Sequence, residues 1–564
     1  MSHNRTTAKT QFEPTFAPSH GKEGDPEVFR EIFATGDTRS IFQFESKGMR
    51  EYLQKMRPSE FNDIVAMNAL YRPGPMKLIP DYIARKHGEE EVRYLGDSIH
   101  DRVKGDVAGV LDETYGIMVF QEQVMKVAQI LAGFTLGQAD ILRRACGKKK
   151  RKLLMKQQQK FVQGCVQEGY GREVGEEVFE LIEEFADYAF NKSHAAAYSA
   201  IAYASAYLKC HYPTSFFAAA VEHEGDEEDR AKLILNAEQE DVKVLPPSIN
   251  DSWAPFTPEP EKSAVRFGLG GIKHVGSEAD SIIEEREQNG RYKGLKDLCL
   301  RAIPNSQALK NLIMAGALDA FGPSRSTMYE AAESYLDYAR KMRDVRRGKR
   351  KSKPEKPHPR QVKEWPRKMR FQQEMEVAGI FTVTYPLDAY EPFLEHLDRA
   401  DFYRNGRNGR QHYRLFCGTI TNVNEATTRN DNPMWWVTFL GQNEAHELPM
   451  FEWKHKRFGA FLEKGETLVF VGKEGTGQYE GSYNIDACYP LDRAMEEWAQ
   501  VLKLTPVSKK KARRFLAKAQ SSEEGPCSIW IEGEGRTVEA GGLSVSLTEN
   551  LLRDAEKAGL VDVF

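Results

Sequence analysis

The sequence predicts a multidomain protein, mainly α-helical through its first two thirds, followed by a small β-barrel and a small α/β domain at its end. Three observations carry this. The 564 residues exceed what one hydrophobic core can organise, since cores stop growing near about 250–300 residues. Segments such as EQVMKVAQILAGF and EEVFELIEEFADYAF repeat apolar residues at spacings of three and four, the period of a helix with one buried face. From about His412 the texture changes to short alternating runs separated by turn residues, the pattern of half-buried strands.

Taken in order, residues 1–25 are polar and rich in Pro, Gly, Ser and Thr, and read as a flexible lead-in. Residues 26–225 form a helical block large enough to own a core. Residues 226–340 open with VKVLPPSIN and an extended stretch, FTPEPEKSAVRFGLGG, then restart helices at SEADSIIEER and pass through tandem helical hairpins to AGALDAFGPSR. Between Lys341 and Arg370 stand 14 Lys or Arg residues against three acids, with four prolines, so 341–370 is expected to be a basic linker that buries little. A connecting helical segment, 371–411, leads to strands in YRLFCGTITNV, MWWVTFLG, HELPMFEW, TLVFVGKEG and YNIDACYP; five strands over 412–492 predict a barrel of the oligonucleotide-binding fold. Residues 493–564, with CSIWIEGEGRTVEAGG and SLTENLLRDAEKAGLVDVF, form the small α/β module.

The 79 basic and 83 acidic residues give a formal charge of -4, so a role with nucleic acid must come from local clustering of charge. The seven cysteines (146, 165, 210, 299, 417, 488 and 527) stand singly, without a Cys-x-x-Cys pair, which argues against a zinc ribbon or a disulfide framework and points to reduced thiols in the cytoplasm. No apolar run approaches the ~18 residues of a membrane span, and the first 25 residues lack the apolar centre of a signal peptide.

Four constellations could carry chemistry. Asn191-Lys192-Ser193-His194 precedes the small, apolar stretch AAAYSAIAYASAY, where a helix should begin. A helix N-terminus offers unpaired N–H groups and the positive end of its dipole, so an anion fits there. Ser193 is expected to be the N-cap, with Lys192 and His194 as donors to phosphate; the alternative is a capped helix with two solvated neighbours. ADILRRACGKKKRKLLMKQQQK holds nine basic residues and no acid between Ile141 and Lys160, including Arg143, Arg144, Lys148, Lys149 and Lys150. Such a run is either a solvated face or, facing the tetrad, the other side of a triphosphate and DNA-backbone cleft, because guanidinium forks match phosphate oxygens.

The third constellation, FGLGGIKHVGSEADSIIEER, has the glycine-hydrophobic-glycine turn of a helix-hairpin-helix, in which backbone N–H groups with Gly271, Lys273 and Gly276 would hold a DNA phosphate without reading bases. His274 stands where the first turn glycine is usual and where a positive φ is expected. The fourth is the barrel, whose Tyr413, Phe416, Trp435, Trp436, Phe451 and Trp453 are interleaved with Arg414, Lys454 and Lys456. Exposed rings beside cations stack single-stranded bases, but strand alternation commits half of them to the core. No Asp-x-Asp pair lies on an apolar strand, so the carboxylate clamp of a two-metal polymerase or nuclease is not found, and the 13 histidines lack metal-ligand spacing.

SIFQFESKGMREYL, ALYRPGPM, IARKHGEEE, ETYGIMVFQEQVMKVAQILAGFTLGQADILRRACGKKK, FNKSHAAAYS and YLKCHYPTSFFAA, in that order, resemble the fingers of the alpha subunit of bacterial DNA polymerase III, the family C replicative polymerase. Downstream, FGLGGIKHVG, LIMAGALDAFG, FTVTYPLDAY, the barrel and the last module follow that family's order of tandem hairpins, oligonucleotide-binding domain and clamp-loader-binding domain, with looser similarity beyond Gly225. The resemblance implies that Arg143, Arg144, Asn191, Lys192, Ser193 and His194 bind an incoming deoxynucleoside triphosphate. The basic run and the hairpin turn add the expectation that Lys148, Lys149, Lys150, Gly271, Lys273 and Gly276 contact primer-template DNA.

The chain departs from the family by starting just after the last aspartate motif of the palm. It is therefore expected to be the C-terminal half of a split polymerase, a nucleotidyltransferase inactive alone. The palm, its aspartates and their Mg²⁺ would come from a separate N-terminal chain. A clamp loader is an expected partner; a sliding clamp is in doubt, because QVKEW and QQEME do not make a clamp-binding motif, and the basic linker would hold DNA instead. The competing expectation is a non-catalytic DNA-binding or replisome-docking protein derived from the polymerase.

Overall fold

The computed structural model describes residues 24–379 except 97, 148–150 and 187–189, then Leu387, Tyr390 and Leu394, and residues 401–563 except 407–408, 429, 442–444, 477–480, 499–500, 507, 523–524 and 534–535. Two compact units, Met1–Phe216 and Phe217–Phe564, make up the chain.

The first unit is helical: α1 (Lys47–Met56), α2 (Phe61–Leu70), α3 (Ile79–Lys86), α4 (His100–Leu111), α5 (Gln121–Ala132), α6 (Leu136–Gly147), α7 (Arg151–Gln167), α8 (Arg172–Ala186) and α9 (Lys192–His211). It has two cores. One gathers Phe33, Phe44, Leu53, Ile64 and Tyr82 around α2 and the buried alanines 195, 202 and 206 of α9. Those small residues let α9 lie close enough to α2 for the Ser199 hydroxyl to reach the Ile64 carbonyl at 3.3 Å. At the far end of α9, Lys209 has no exposed side-chain surface and donates to both the carbonyl and the carboxylate of Asp37, at 3.0 and 2.8 Å. The second core, with Val103, Val107, Leu131, Phe161 and Phe179, joins α4 to α8. Gly164 of α7 is required there: a Cβ would stand 2.1 Å from the Ala132 carbonyl oxygen.

After α10 (Pro213–His223) and α11 (Glu227–Gln239), a three-stranded sheet of the second unit, ordered β1 (Lys243–Leu245), β3 (Ala264–Arg266), β2 (Thr257–Glu259), precedes the hairpins. The turn predicted from the glycine pattern is present. A 3-10 turn (Leu269–Gly271) leads to His274 at φ +64°, the left-handed conformation expected in place of the usual glycine, and α12 (Gly276–Asn289) follows. The expected basic linker is corrected at both of its ends. After α13 (Leu295–Arg301) and α14 (Ser306–Met314), α15 runs from Arg325 to Arg346, and α16 occupies Arg367–Ala378. Between them Val362 and Glu364 bond the head of α15. The Val362 N–H donates to Thr327 Oγ1 at 2.9 Å, and Glu364 accepts the Arg325 N–H at 2.9 Å.

The β region is also larger than expected. A six-stranded antiparallel sheet runs β7 (Ala445–Phe451), β6 (Pro433–Leu440), β5 (Gly409–Thr427), β8 (Thr467–Glu474), β9 (Tyr483–Pro490), with β4 (Asp401–Gly406) also paired to β5. It curls around Phe416, Ile420, Phe439 and Phe470, bent by an irregularity in β5 between Ile420 and Asn422, and α17 (Glu452–Phe458) follows β7. The last module is a four-stranded mixed sheet, β12 (Arg536–Val545), β11 (Cys527–Gly533), β10 (Val501–Pro506), β13 (Gly559–Val563), with α18 (Leu491–Trp498), α19 (Lys509–Ala519) and α20 (Glu549–Glu556). Burial pushes the thiols of Cys165, Cys299, Cys488 and Cys527 up to about 12, so they stay protonated at neutral pH. Among the described residues no helix is long and apolar enough to cross a membrane.

Candidate functional site

The head of α9 is built by a backbone contact no local pattern announces. Phe120 and Phe190 form a parallel bridge, and the Gln121 N–H donates to the Phe190 carbonyl at 2.8 Å, so α5 and α9 start side by side. The buried Gln123 holds this entry, its Oε1 accepting the N–H groups of Val119 and Phe120 at 2.9 and 3.0 Å. The extended backbone at Phe190–Asn191 makes Asn191, not Ser193, the N-cap: its side chain accepts the His194 N–H at 2.8 Å. Ser193 is therefore in the first turn and exposed, with His194 exposed beside it, its ring centre 4.2 Å from that of Tyr198 and tilted 40° to it.

Two helix N-termini placed together favour an anion. One is already supplied by the chain. Glu122 accepts from Asn191 Nδ2 at 3.0 Å and from the Lys192 N–H at 2.9 Å. The Lys192 ammonium reaches Glu113 at 2.5 Å and lies 5.7 Å from the Phe120 ring centre.

The paired arginines arrive at the same place from α6. Arg143 donates through Nε and Nη2 to Asp140 at 3.0 and 2.8 Å and through Nη1 to Gln121 Oε1 at 3.3 Å. Arg144, more exposed, pairs with the other oxygen of Asp140 at 2.7 Å. The Arg143 hydrogen bond, with Arg144 beside it, holds the Asp140 carboxyl below the usual carboxylate range. Gln121 thus touches the arginine side, while its neighbour Glu122 touches Asn191 and Lys192, so the two predicted jaws meet at the first turn of α5.

Lys148, Lys149 and Lys150 lie outside the described residues. Gly271, Lys273 and Gly276 sit at the hairpin turn of the second unit, where the Lys273 side chain is exposed while its N–H is bonded to the Val377 carbonyl at 2.8 Å. Of the barrel rings, Tyr413 and Phe416 are core. Trp453 is 66 % exposed with the Lys454 ammonium 4.2 Å from its ring centre, and Trp435 stacks on His455 at 3.6 Å.

Sequence reasoning missed Gln121, Glu122, Glu113 and Asp140. Asp140 was readable, three and four residues before the arginines on a helix. The others meet partners 22 to 79 residues away and left no local signal. It also missed Asp25, Glu27 and His211, whose ligand-type atoms lie within 4.8 Å of one another. In that group Asp25 already caps the short helix Pro26–Val28 and stands 2.8 Å from His211 Nε2.

Residues 2–169 match the family described as the bacterial DNA polymerase III alpha subunit finger domain, and residues 241–328 match a helix-hairpin-helix motif. The chain is 34% identical over 543 residues to a DNA polymerase III subunit alpha of Halalkalibacterium halodurans, a match covering 93% of this chain and 47% of that relative. It is 32% identical over 529 residues to a DNA polymerase III subunit alpha of Vibrio cholerae, covering 88% and 45%. A third relative of the same description, from Staphylococcus epidermidis, is 34% identical over 454 residues, covering 80% and 41%. The chain spans less than half the length of these curated relatives.

Proposed function

We propose that this chain, a homologue of bacterial DNA polymerase III alpha subunits, supplies the nucleotide-gripping fingers and the DNA-holding domains of a split replicative polymerase that works in the cytoplasm. It becomes catalytic only when a second chain brings the palm aspartates. The observation that carries this reading is the meeting of Arg143 with Asn191 and Lys192 through Gln121 and Glu122 at the start of α5.

Phosphoryl transfer asks for positioning and for compensation of charge, more than for covalent chemistry. Arg143 and Lys192 are held in place by Asp140 and Glu113, and a triphosphate would take over those cations by exchange. Ser193 and His194, exposed on the first turn of α9, add donors on the same side.

A divalent ion does not suit the carboxylates present here. Asp140, Glu113 and Glu122 are each bonded to a cation or amide of the site, so we assign Mg²⁺ to the partner's palm and derive no step through it. The hairpin turn around Lys273 and the exposed Trp453, with Lys454 and Lys456, would hold duplex and single-stranded DNA respectively. A clamp loader is the proposed partner of the last module. The cations of 341–370 other than Lys368, which pairs with Glu466, would stand in for a sliding-clamp contact.

The test is co-purification with a chain carrying the missing palm, then primer extension with Mg²⁺. Replacing both arginines, Arg143→Ala with Arg144→Ala, should raise the KM for nucleotide and leave duplex binding intact. DNA binding without extension in any such pairing would favour the docking protein instead.

A further inference from the structure

The connection between the hairpins and the barrel is fastened at three points along α16. Near its C-terminal end, the Val377 carbonyl accepts the N–H of Lys273 at the hairpin turn, at 2.8 Å, while Asn311 of α14 donates to the Lys273 carbonyl at 2.5 Å. In its middle, Glu374, with no exposed side-chain surface, takes Arg325 Nη1 at 2.7 Å; the same guanidinium forks onto Asp319 and donates to the Met314 carbonyl at 3.0 Å. Near its start, Lys368 reaches Glu466 at 2.7 Å. There the helix also lies against Gly465, whose φ is +88° and where a Cβ would stand 3.2 Å from Gln372 Cγ. Gly465 and Glu466 are in turn bonded through their backbones to Ile420 of the central strand β5, both at 2.8 Å. One helix of 12 residues, about 18 Å long, therefore runs from the hairpin turn to the middle of the barrel.

We propose that α16 is a bracket that fixes the barrel relative to the hairpin turn, so that one DNA molecule with a duplex-to-single-strand junction engages both at once. Arg325, Glu374 and Lys368 are its positioning residues and touch no DNA. The inference rests on the reading above that the hairpin holds duplex and the barrel holds single strand. Its physical content is effective concentration. Two weak sites at a fixed spacing bind one ligand about 10² to 10⁴-fold more tightly than either alone, and the gain falls when their relative orientation floats. A loose linker at 341–370 would have left the barrel floating. The bonds made by Val362 and Glu364 to the head of α15 remove that freedom just before α16 begins.

The experiment measures fluorescence anisotropy of the whole chain with a blunt duplex, a single-stranded oligonucleotide and a primer-template junction. The unaltered chain should bind the junction at least about tenfold more tightly than either simple probe. In Glu374→Gln with Lys368→Glu, most of that excess should disappear while affinities for duplex and single strand stay as they were, which also shows both modules folded. The exchanged pair, Lys368→Glu with Glu466→Lys, should keep the junction preference. The bracket is overturned if the first variant retains the full preference, or if all three affinities fall together. An unaltered chain that binds neither simple probe overturns the underlying DNA reading, and the bracket with it.

Discussion

The ion pair between Lys192 and Glu113 separates a nucleotide-binding role from a purely structural one, because the two roles give opposite signs for the same pair of substitutions. If Lys192 exists to hold the head of α9, removing either partner breaks the same contact and both changes act alike. If Lys192 grips phosphate, Glu113 is its competitor. Lys192→Met then loses a charge-assisted hydrogen bond of about 1.5–3 kcal/mol, a fall in triphosphate affinity of roughly 10- to 150-fold. The Glu113–Lys192 pair is about one-third exposed on each side, 28% and 35%, which limits its worth to at most about 1 kcal/mol. Glu113→Gln should therefore tighten triphosphate binding by up to about fivefold. The assay is equilibrium dialysis of a deoxynucleoside triphosphate with Mg²⁺ against the purified chain, with thermal midpoints recorded as a control on folding. Affinities that move in the same direction in both variants would refute the phosphate role of Lys192.

Arg143 is two-thirds buried and joined to Gln121, whereas Arg144 is 64% exposed and touches Asp140. Arg143→Ala should thus weaken triphosphate binding more than Arg144→Ala in the same dialysis assay. Trp453→Ala should cost about 1–3 kcal/mol in single-strand binding and leave duplex binding unchanged, as read by anisotropy with the two probes. Burial pushes the Glu364 carboxyl up, but the N–H groups of Arg325, Trp365 and Ser326 outweigh it and hold it below its usual range. The fold therefore favours the ionised form. Its contribution is complete above the unfolded value near about 4.3 and is lost as pH falls through the lower folded value. Thermal melts between pH 6 and 3 should show this slope, and Glu364→Gln should lack its share.

The sequence made legible what depends on neighbours along the chain. The positive φ of His274 followed from the spacing of glycines around it, and the closely packed face of α9 from its run of alanines. Composition misled where a few residues outvoted an average. In a segment dominated by Lys and Arg, one valine and one glutamate bind it onto α15, because Glu364 finds two N–H groups at the head of that helix, those of Arg325 and Ser326, besides that of its neighbour Trp365. The cap of α9 was misassigned for a related reason. Asn and Ser serve equally well as caps, and the choice was made by the bridge between Phe190 and Phe120, 70 residues apart in sequence and invisible to any window. The long strand β5 extends back to Gly409 because β4 pairs with it, a hairpin whose polar run DFYRNGRNGRQHY lacks the alternation that betrayed the later strands.

The charges of the candidate site bear on why, on the reading proposed above, the first unit should act poorly without a partner. Arg143 and Arg144 face Asp140, Lys192 faces Glu113, and the start of α9 faces Glu122. These three cations each face a carboxylate among the described residues. No ligand is needed to relieve repulsion, so the jaws are held in place beforehand and lose little freedom on binding. A triphosphate, however, adds about four negative charges to cations that already face carboxylates, and phosphoryl-transfer sites commonly meet such charge with metal ions. On the division of labour proposed above, further positive charge enters with the nucleotide and is anchored by the partner's palm. Triphosphate affinity should consequently rise more steeply with Mg²⁺ when the palm-bearing chain is present than when this chain is alone, as measured by titrating the metal in both. Equal metal dependence in the two preparations would place the compensating groups within this chain and undo the division of labour proposed for the two.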